Sequence, residues 1–299
     1  MRNCSAIIDM IKFFVKPEDV SGAHVYIEDR EDVKHLSKVL RAKVGDSVMI
    51  SDGDEWEYGT VIESIEQDLV TLRIQDRQRF ATEPSTRVTL YQGVPKGTKM
   101  ETVIQKCVEM GVDSIVPVFM ERTVVVEKGN FSRKLERWQR ISDEAVKQCK
   151  RGKIPEVRAA LSFKEMLSDI ESANYDMVIL PYESEDNRTI KDALVAYCTG
   201  VAKAACSGRG LSSLQSSTPL PLASASQIDV GAEACNGVAK AAYSSKIAVI
   251  IGPEGGFSEE EISMAKERDY EIVTLGKTTL RTETAGMAAL AMIMYELEL

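Results

Sequence analysis

Short apolar runs broken by polar residues dominate the first quarter of the chain. Phe13-Phe14-Val15, His24-Val25-Tyr26-Ile27, Ser47-Val48-Met49-Ile50, Tyr58-Gly59-Thr60-Val61-Ile62 and Leu69-Val70-Thr71-Leu72-Arg73-Ile74 read as short strands. Asp52-Gly53, between two of them, is a tight-turn dipeptide. Strands this short and this numerous close most simply as a small β-barrel. One stretch changes period: Val33, Leu36, Val39 and Leu40 share a face while His35, Lys38 and Arg41 lie elsewhere, which predicts one amphipathic helix over 33–41, running into Val44-Gly45-Asp46.

Residues 79–87 are polar and turn-rich and read as a linker. Beyond them the rhythm becomes strand, helix, strand. Strands are predicted over 88–94, 114–119, 177–180, 247–251 and 271–275, and helices over 99–110, 131–148, 186–197, 259–268 and 284–298. Such alternation implies an α/β fold, a mostly parallel sheet with helices on both faces. Residues 199–245 interrupt it. They are rich in Ala, Ser and Gly, carry Pro219 and Pro221, and repeat one hexamer (Gly200-Val201-Ala202-Lys203-Ala204-Ala205 and Gly237-Val238-Ala239-Lys240-Ala241-Ala242). Too little apolar surface is present there to offset chain ordering, so a surface insertion, flexible over most of its length, is expected. The organisation is therefore an extension (1–11), a barrel (12–80), a linker (81–87) and an α/β domain (88–299).

Composition narrows the chemistry. With 299 residues, 44% hydrophobic and 28% charged, the chain can bury cores for two domains. Its six cysteines (Cys4, Cys107, Cys149, Cys198, Cys206, Cys235) show no Cys-x-x-Cys spacing, and only His24 and His35 offer imidazoles. Neither a metal site nor a disulfide framework is expected, and a reducing cytoplasm suits the chain. The apolar groups near the start are interrupted by Asp9 and Lys12, so neither a signal peptide nor a membrane span is expected there. Net charge is −9, yet 133–158 holds nine basic residues against four acidic ones. Arg133, Arg137, Arg140, Lys147, Lys150 and Arg151 recur mainly at helical spacings; such a face suits solvation or phosphate binding alike.

Two turns near the C-terminus carry the rest. Ile251-Gly252-Pro253-Glu254-Gly255-Gly256-Phe257 follows a strand-like run and precedes a helix whose start is marked by a Ser258/Glu261 capping box. Glycines there let a ligand approach the main chain, whereas a P-loop is excluded because no Gly-Lys-Ser/Thr completes the motif at the required spacing. Leu275-Gly276-Lys277-Thr278-Thr279-Leu280-Arg281-Thr282-Glu283-Thr284-Ala285 enters the last helix. Capping by Thr282 or Thr284 and dipole complementarity at Glu283 explain three of these residues. Arg281, a fixed cation at a positively polarised helix end, requires another reason, such as positioning a ligand.

These residues, with Lys12-Phe13-Phe14-Val15, 35–41, Lys43-Val44-Gly45-Asp46, Pro95-Lys96-Gly97-Thr98-Lys99-Met100, 105–112, Glu121-Arg122-Thr123 and Leu135-Glu136-Arg137-Trp138, give the chain an ordered series of matches. It resembles the RsmE family of 16S ribosomal RNA uridine-N3 methyltransferases, in the knotted SPOUT superfamily. The resemblance runs from about Lys12 to Leu299, the insertion apart, with Lys277-Thr278-Thr279 replacing the usual basic and aliphatic residues. It implies a PUA-like RNA-binding barrel followed by a domain whose end is threaded into a trefoil knot. It also implies S-adenosyl-L-methionine as cofactor, held largely by main chain at Leu180, Pro181, Tyr182, Glu183, Ile251, Gly252, Pro253, Glu254, Gly255, Gly256, Leu275, Gly276, Thr279, Leu280 and Ala285. Arg281, Thr282 and Glu283 would face the base, with Glu283, Glu254 or water as proton acceptor. Phosphates of 16S rRNA are expected at His35, Lys38, Arg41 and Lys43 on the barrel and at Arg137, Lys150, Arg151 and Lys153 on the basic helix. A homodimer is expected through the last helix at Met287, Leu290, Ala291 and Met294. Two other readings fit the same turns: a knotted methyltransferase acting on a ribose 2′-hydroxyl or another base, and a non-catalytic RNA-binding assembly protein.

Overall fold

The computed structural model describes residues 12–80, 82–125, 131–185, 187–206 and 245–298. The first strands are β1 (Lys12–Phe14), β2 (Val20–Ser21), β3 (His24–Ile27), β4 (Ser47–Ser51), β5 (Trp56–Ile65) and β6 (Val70–Arg79), in the sheet order β1-β4-β5-β6-β3-β2. All neighbours are antiparallel except β1 and β4. The period-two reading places the core on the right face, with Phe13, Val25, Ile27, Ile50, Ile62 and Leu72 all buried. The Asp52 carboxylate accepts from the amides of Asp54, Glu55 and Trp56 while Gly53 takes φ +72°, so the predicted turn is built by side chain and glycine together.

Between β3 and β4 the helix begins earlier than its hydrophobic period suggests. Asp29 caps α1 (Arg30–Lys34) by accepting from the amides of Glu31 and Asp32, and His35–Val39 continue as a single π turn. That widened turn leaves Val39 exposed instead of on the buried face with Leu36.

The chain then forms β7 (Arg87–Gly93), α2 (Lys99–Glu109), β8 (Ser114–Phe119), α3 (Phe131–Cys149), β9 (Glu156–Val157), β10 (Leu161–Ser162), α4 (Phe163–Ala173), β11 (Met177–Pro181), α5 (Ile190–Cys206), β12 (Lys246–Ile251), α6 (Glu259–Lys266), β13 (Glu271–Val273) and α7 (Thr282–Glu298). Two compact units result, and they interleave along the sequence. The first joins the N-terminal sheet to 104–109 and 132–157, so the basic helix belongs to it; the second takes 84–103, 110–131 and 158 onward.

In the first unit, Lys12 is buried and its ammonium reaches Glu57 at 2.5 Å and the carbonyls of Lys150 and Arg151 at 2.9 and 3.3 Å. It thereby caps the C-terminal end of α3, where Lys150 adopts φ +61°. Arg151 is 5% exposed: its guanidinium meets Glu83 at 2.6 Å and the Val108 carbonyl at 3.1 Å. The expectation that Arg151 contacts RNA is corrected by this placement, because helical spacing of charges cannot show that one of them is already neutralised.

In the second unit the sheet order is β10-β8-β7-β12-β11-β13, with parallel pairing throughout. Alternate residues of β7 and β12 point to opposite sides. Tyr91 and Ile250 join the cluster containing Phe163 and Met166 of α4 and Ile262 of α6, whereas Leu90 and Ile251 lie against Gly286 of α7. Both faces are thus covered, as the α/β reading requires. Arg158, counted with the basic run, pairs with Asp169 at 2.6 Å, and Asp169 also accepts from the buried Tyr91 hydroxyl at 2.5 Å. Burial, reinforced by that hydrogen bond, pushes the Tyr91 phenol far above its usual range.

Three local readings change. Helix α4, capped by a Ser162/Glu165 box and burying Phe163, Met166, Leu167 and Ile170, lies where no element was predicted. Helix α5 runs through Cys206, so the insertion's first residues are helical; Ala-rich composition favours that state even without large apolar groups. The remainder of that segment, the second hexamer copy and the 1–11 extension lie outside the described residues. Within the predicted linker, Ser85 and Thr86 are fixed by the Glu298 carboxylate at 2.9 and 2.6 Å.

Replacing Arg151 with Ala would leave the Glu83 carboxylate part-buried without its cation, at a cost of about 3–5 kcal/mol in urea-unfolding stability. The double change Arg151→Met with Glu83→Leu should recover most of that loss; equal losses in single and double variants would contradict a buried pair.

Candidate active site

The parallel strands end in turns that the sequence supplies with glycine. Gly93, the last residue of β7, lies so close to the turn after β12 that an added Cβ would stand 2.5 Å from the Pro253 nitrogen. No other residue type fits without moving that turn. Gly252 is likewise packed against the Phe257 ring, which would lie 3.1 Å from a Cβ there. Gly256 takes φ +69° and donates its amide to the Pro253 carbonyl at 2.9 Å, closing the turn before Ser258 and Glu261 form the predicted capping box. Gly276, at φ +141°, gives the second turn the same freedom, and its amide meets Thr274 Oγ1 at 3.3 Å.

Hydrogen bonds join these turns. Thr279 donates to Glu183 at 3.0 Å, linking the loop after β11 to the loop before α7. The Tyr182 amide donates to the Val273 carbonyl at 2.9 Å, and its ring packs against the core. Thr282 Oγ1 donates to the Gly252 carbonyl at 2.5 Å and accepts from Gln92 Nε2 at 2.9 Å. Leu180, Ile251 and Pro253 are buried, Leu275 and Leu280 are half-buried, and Gly255 and Gly276 are exposed. These hydrogen bonds thus bring the segments named from the sequence together, glycine main chain beside apolar side chains. At Gly256 and Gly276 no atom stands where a side chain would begin.

Charged groups stand beside these turns. Arg281 is exposed; its carbonyl accepts the amides of Thr284 and Ala285, both at 2.8 Å, which makes it the residue that opens α7. Thr282 differs from expectation. It is 6% exposed and its hydroxyl is engaged on both sides, so it neither caps the helix nor faces a base; it anchors its neighbours. Glu283 is part-buried, with Oε2 enclosed and without a hydrogen-bond partner, 3.5 Å from the Lys99 ammonium. Burial alone would raise the Glu254 carboxyl; hydrogen bonds from Lys99 and the Lys96 amide, both at 3.0 Å, outweigh it and hold the group below the usual carboxylate range. Arg122 donates to the Gly255 carbonyl at 3.3 Å.

Gln92, Lys99 and Arg122 were absent from the sequence-derived site. Lys99 and Arg122 lie in the matched motifs, the one available signal, while Gln92 looks like any polar residue ending a strand. Of the basic residues expected at phosphates, Lys38, Arg41, Lys43, Arg137 and Lys150 are exposed and His35 and Lys153 are half-buried, all within the first unit. Lys147 of the basic helix lies 3.8 Å from Asp32 of α1, which places the two basic segments side by side. Among the described residues no cluster of His, Cys, Asp or Glu could hold a metal ion, and no helix is long and apolar enough to cross a membrane.

An RNA methyltransferase domain model matches residues 82–205 and 222–294, and an RNA methyltransferase PUA domain model matches 27–75. The ribosomal RNA small subunit methyltransferase E of Bacillus subtilis (strain 168) is 26% identical over 293 residues, covering 97% of this chain and 98% of that protein. Its namesake from Synechocystis sp. is 28% identical over 297 residues, covering 99% and 81%. Among solved structures, the same-named enzyme of Neisseria gonorrhoeae, bound to S-adenosyl methionine, matches with a TM-score of 0.68 and 26% identity, over 96% of this chain and 97% of that one.

Thr282→Val keeps the side-chain shape but removes the donor to the Gly252 carbonyl and leaves Gln92 Nε2 with only the Gly93 carbonyl, 3.1 Å away. It should cost about 1–3 kcal/mol in urea-unfolding stability, with Thr282→Ser close to wild type; a neutral Thr282→Val would show that the hydroxyl anchors nothing.

Proposed function

This chain belongs to the RNA methyltransferase family, within its RsmE group, and from that premise we propose that it transfers a methyl group from S-adenosyl-L-methionine to N3 of a uridine in 16S ribosomal RNA. The observation that carries this reading is the convergence of the Gly252–Gly256 turn, the Leu275–Leu280 loop and the loop after β11 beside an exposed guanidinium. The residues present suit the donor: glycine main chain free of Cβ atoms, apolar side chains at Leu275 and Leu280 backed by the buried Leu180 and Ile251, and carboxylates at Glu254 and Glu283 that would favour a cationic group. Bound there, the donor supplies an electrophilic methyl; transfer to nitrogen is an in-line displacement in which position and water exclusion contribute most.

The protein's part is to place and deprotonate the base. N3 of uridine carries an imide proton, and its loss puts charge on the flanking carbonyl oxygens. Arg281 orients the base and stabilises that anion as it forms. Its position at a helix start, unfavourable for a cation on dipole grounds, fits a substrate contact better than a stabilising role. Glu283 is the carboxylate suited to take the proton, because Glu254 is committed to Lys99 and the Lys96 amide.

Lys38, Arg41, Lys43, Arg137 and Lys150, with His35 and Lys153, form the phosphate-binding surface of the first unit; Arg151 is excluded. Two copies associate through the outer face of α7. Of the residues expected at that contact, Leu290 is 1% exposed within its own subunit, Met287 and Met294 are half-buried and Ala291 is exposed, so the face comprises Met287, Ala291 and Met294 with the exposed Met292 and Tyr295. A cytoplasmic location accords with an rRNA substrate.

Small-subunit RNA incubated with the protein and isotopically labelled donor should yield 3-methyluridine on nucleoside mass spectrometry. A ribose-methylated product, another methylated base or no product would exclude the reading. Arg281→Ala should lower kcat about 10²-fold or more while calorimetry finds donor affinity nearly unchanged; full turnover would remove its role.

RNA affinity should fall with rising salt. Lys38→Ala and Arg41→Ala should each lower the slope of log K against log salt by about 0.7–0.9. A flat salt dependence in the wild type would reject the surface.

A further inference from the structure

Lys99 stands between two carboxylates that approach from different elements. Its ammonium lies 3.0 Å from Glu254 on the turn after β12 and 3.5 Å from Glu283 in the first turn of α7. The Lys96 amide reaches the same Glu254 oxygen at 3.0 Å, so 96–99 grips that turn at two points. On the other side, Glu283 Oε2 is enclosed and makes no hydrogen bond, which leaves the charge of Lys99 as what offsets it. The remaining charged groups around Glu283 do not replace it. Arg281 on its own element is exposed, Arg122 is directed to the Gly255 carbonyl, and Glu254 carries the same sign as Glu283.

We infer that Lys99 is a positioning residue: it clamps the glycine turn to the start of α7 and holds the Glu283 carboxylate in place to accept the N3 proton. The inference deepens the uridine reading and its proton-transfer half rests on that reading. The hydrogen bond to Glu254, with the charge of both carboxylates, holds the Lys99 ammonium above the usual lysine range, so the cation persists at any pH at which the enzyme works. A part-exposed ion pair contributes little to folding, and the variant protein should fold normally.

The test uses the full chain without donor and follows amide hydrogen exchange across 252–256 and the first turn of α7. In Lys99→Met exchange at both segments should quicken by about 5-fold, and Lys99→Arg should return it toward wild type. In single-turnover methyl transfer, Lys99→Met should lower the rate at saturating donor while calorimetric donor affinity changes little, again with rescue by Lys99→Arg. Exchange unchanged in both Lys99→Met and Lys99→Gln overturns the clamp. Faster exchange with an unchanged single-turnover rate overturns the positioning of Glu283. Wild-type protein that never modifies N3 overturns the uridine reading and that role with it, a failure distinguishable from unchanged exchange.

Discussion

One hydroxyl holds the second unit's functional end in place. Thr282 Oγ1 accepts from Gln92 at the end of β7 and donates to the Gly252 carbonyl at the end of β12, while its own backbone begins α7. Three elements far apart in sequence therefore share a single buried donor and acceptor. Their approach also requires Gly93, because any side chain there would strike the Pro253 nitrogen. Arg281 and Glu283 flank Thr282, so the anchor fixes both neighbours by covalent geometry, with Arg281 exposed and Glu283 Oε2 enclosed beside Lys99. Pre-organisation of this kind matters where the chemistry depends on position.

The electrostatics around that anchor divide the charged residues by task. Glu283 lies where a helix start welcomes negative charge, and Lys99 balances it. Glu254 is satisfied by an ammonium and an amide, which keeps the turn closed and its carboxylate ionised. Arg281 alone is placed against the local field and left exposed, the signature of a residue kept for something other than stability.

Much of this was legible in the sequence. The strand and helix alternation predicted the parallel sheet, and the Ser258/Glu261 spacing located the start of α6 to the residue. Period and spacing report on neighbours a few residues away, and the failures follow from that limit. Gln92 meets Thr282 across 190 residues and Lys99 meets Glu254 across 155, beyond any local signal. Arg151 looked like its exposed neighbours because Glu83, which neutralises it, lies 68 residues earlier. Helix α5 was cut short because its inner stripe is narrow, with Ile190, Ala193 and Leu194 buried, and an Ala-rich continuation resembles a linker when only large apolar residues are counted.

A chain of net charge −9 can attract RNA only through local potential, since fields fade over about 8–10 Å at moderate salt. Backbone geometry helps to supply it. Arg41 at φ +53° and Lys150 at φ +61° both occupy left-handed positions that non-glycine residues adopt at a cost of about 1–2 kcal/mol. At Lys150 the cause is visible: buried Lys12 takes up the carbonyls of Lys150 and Arg151, ends the helix and leaves the Lys150 side chain in solvent. The buried cation thus sets the direction of the exposed one. Arg151, next in line, turns inward to Glu83 and contributes to the fold. Adjacent residues of identical charge therefore serve opposite ends, and the bend between them decides which of the two remains available to a phosphate.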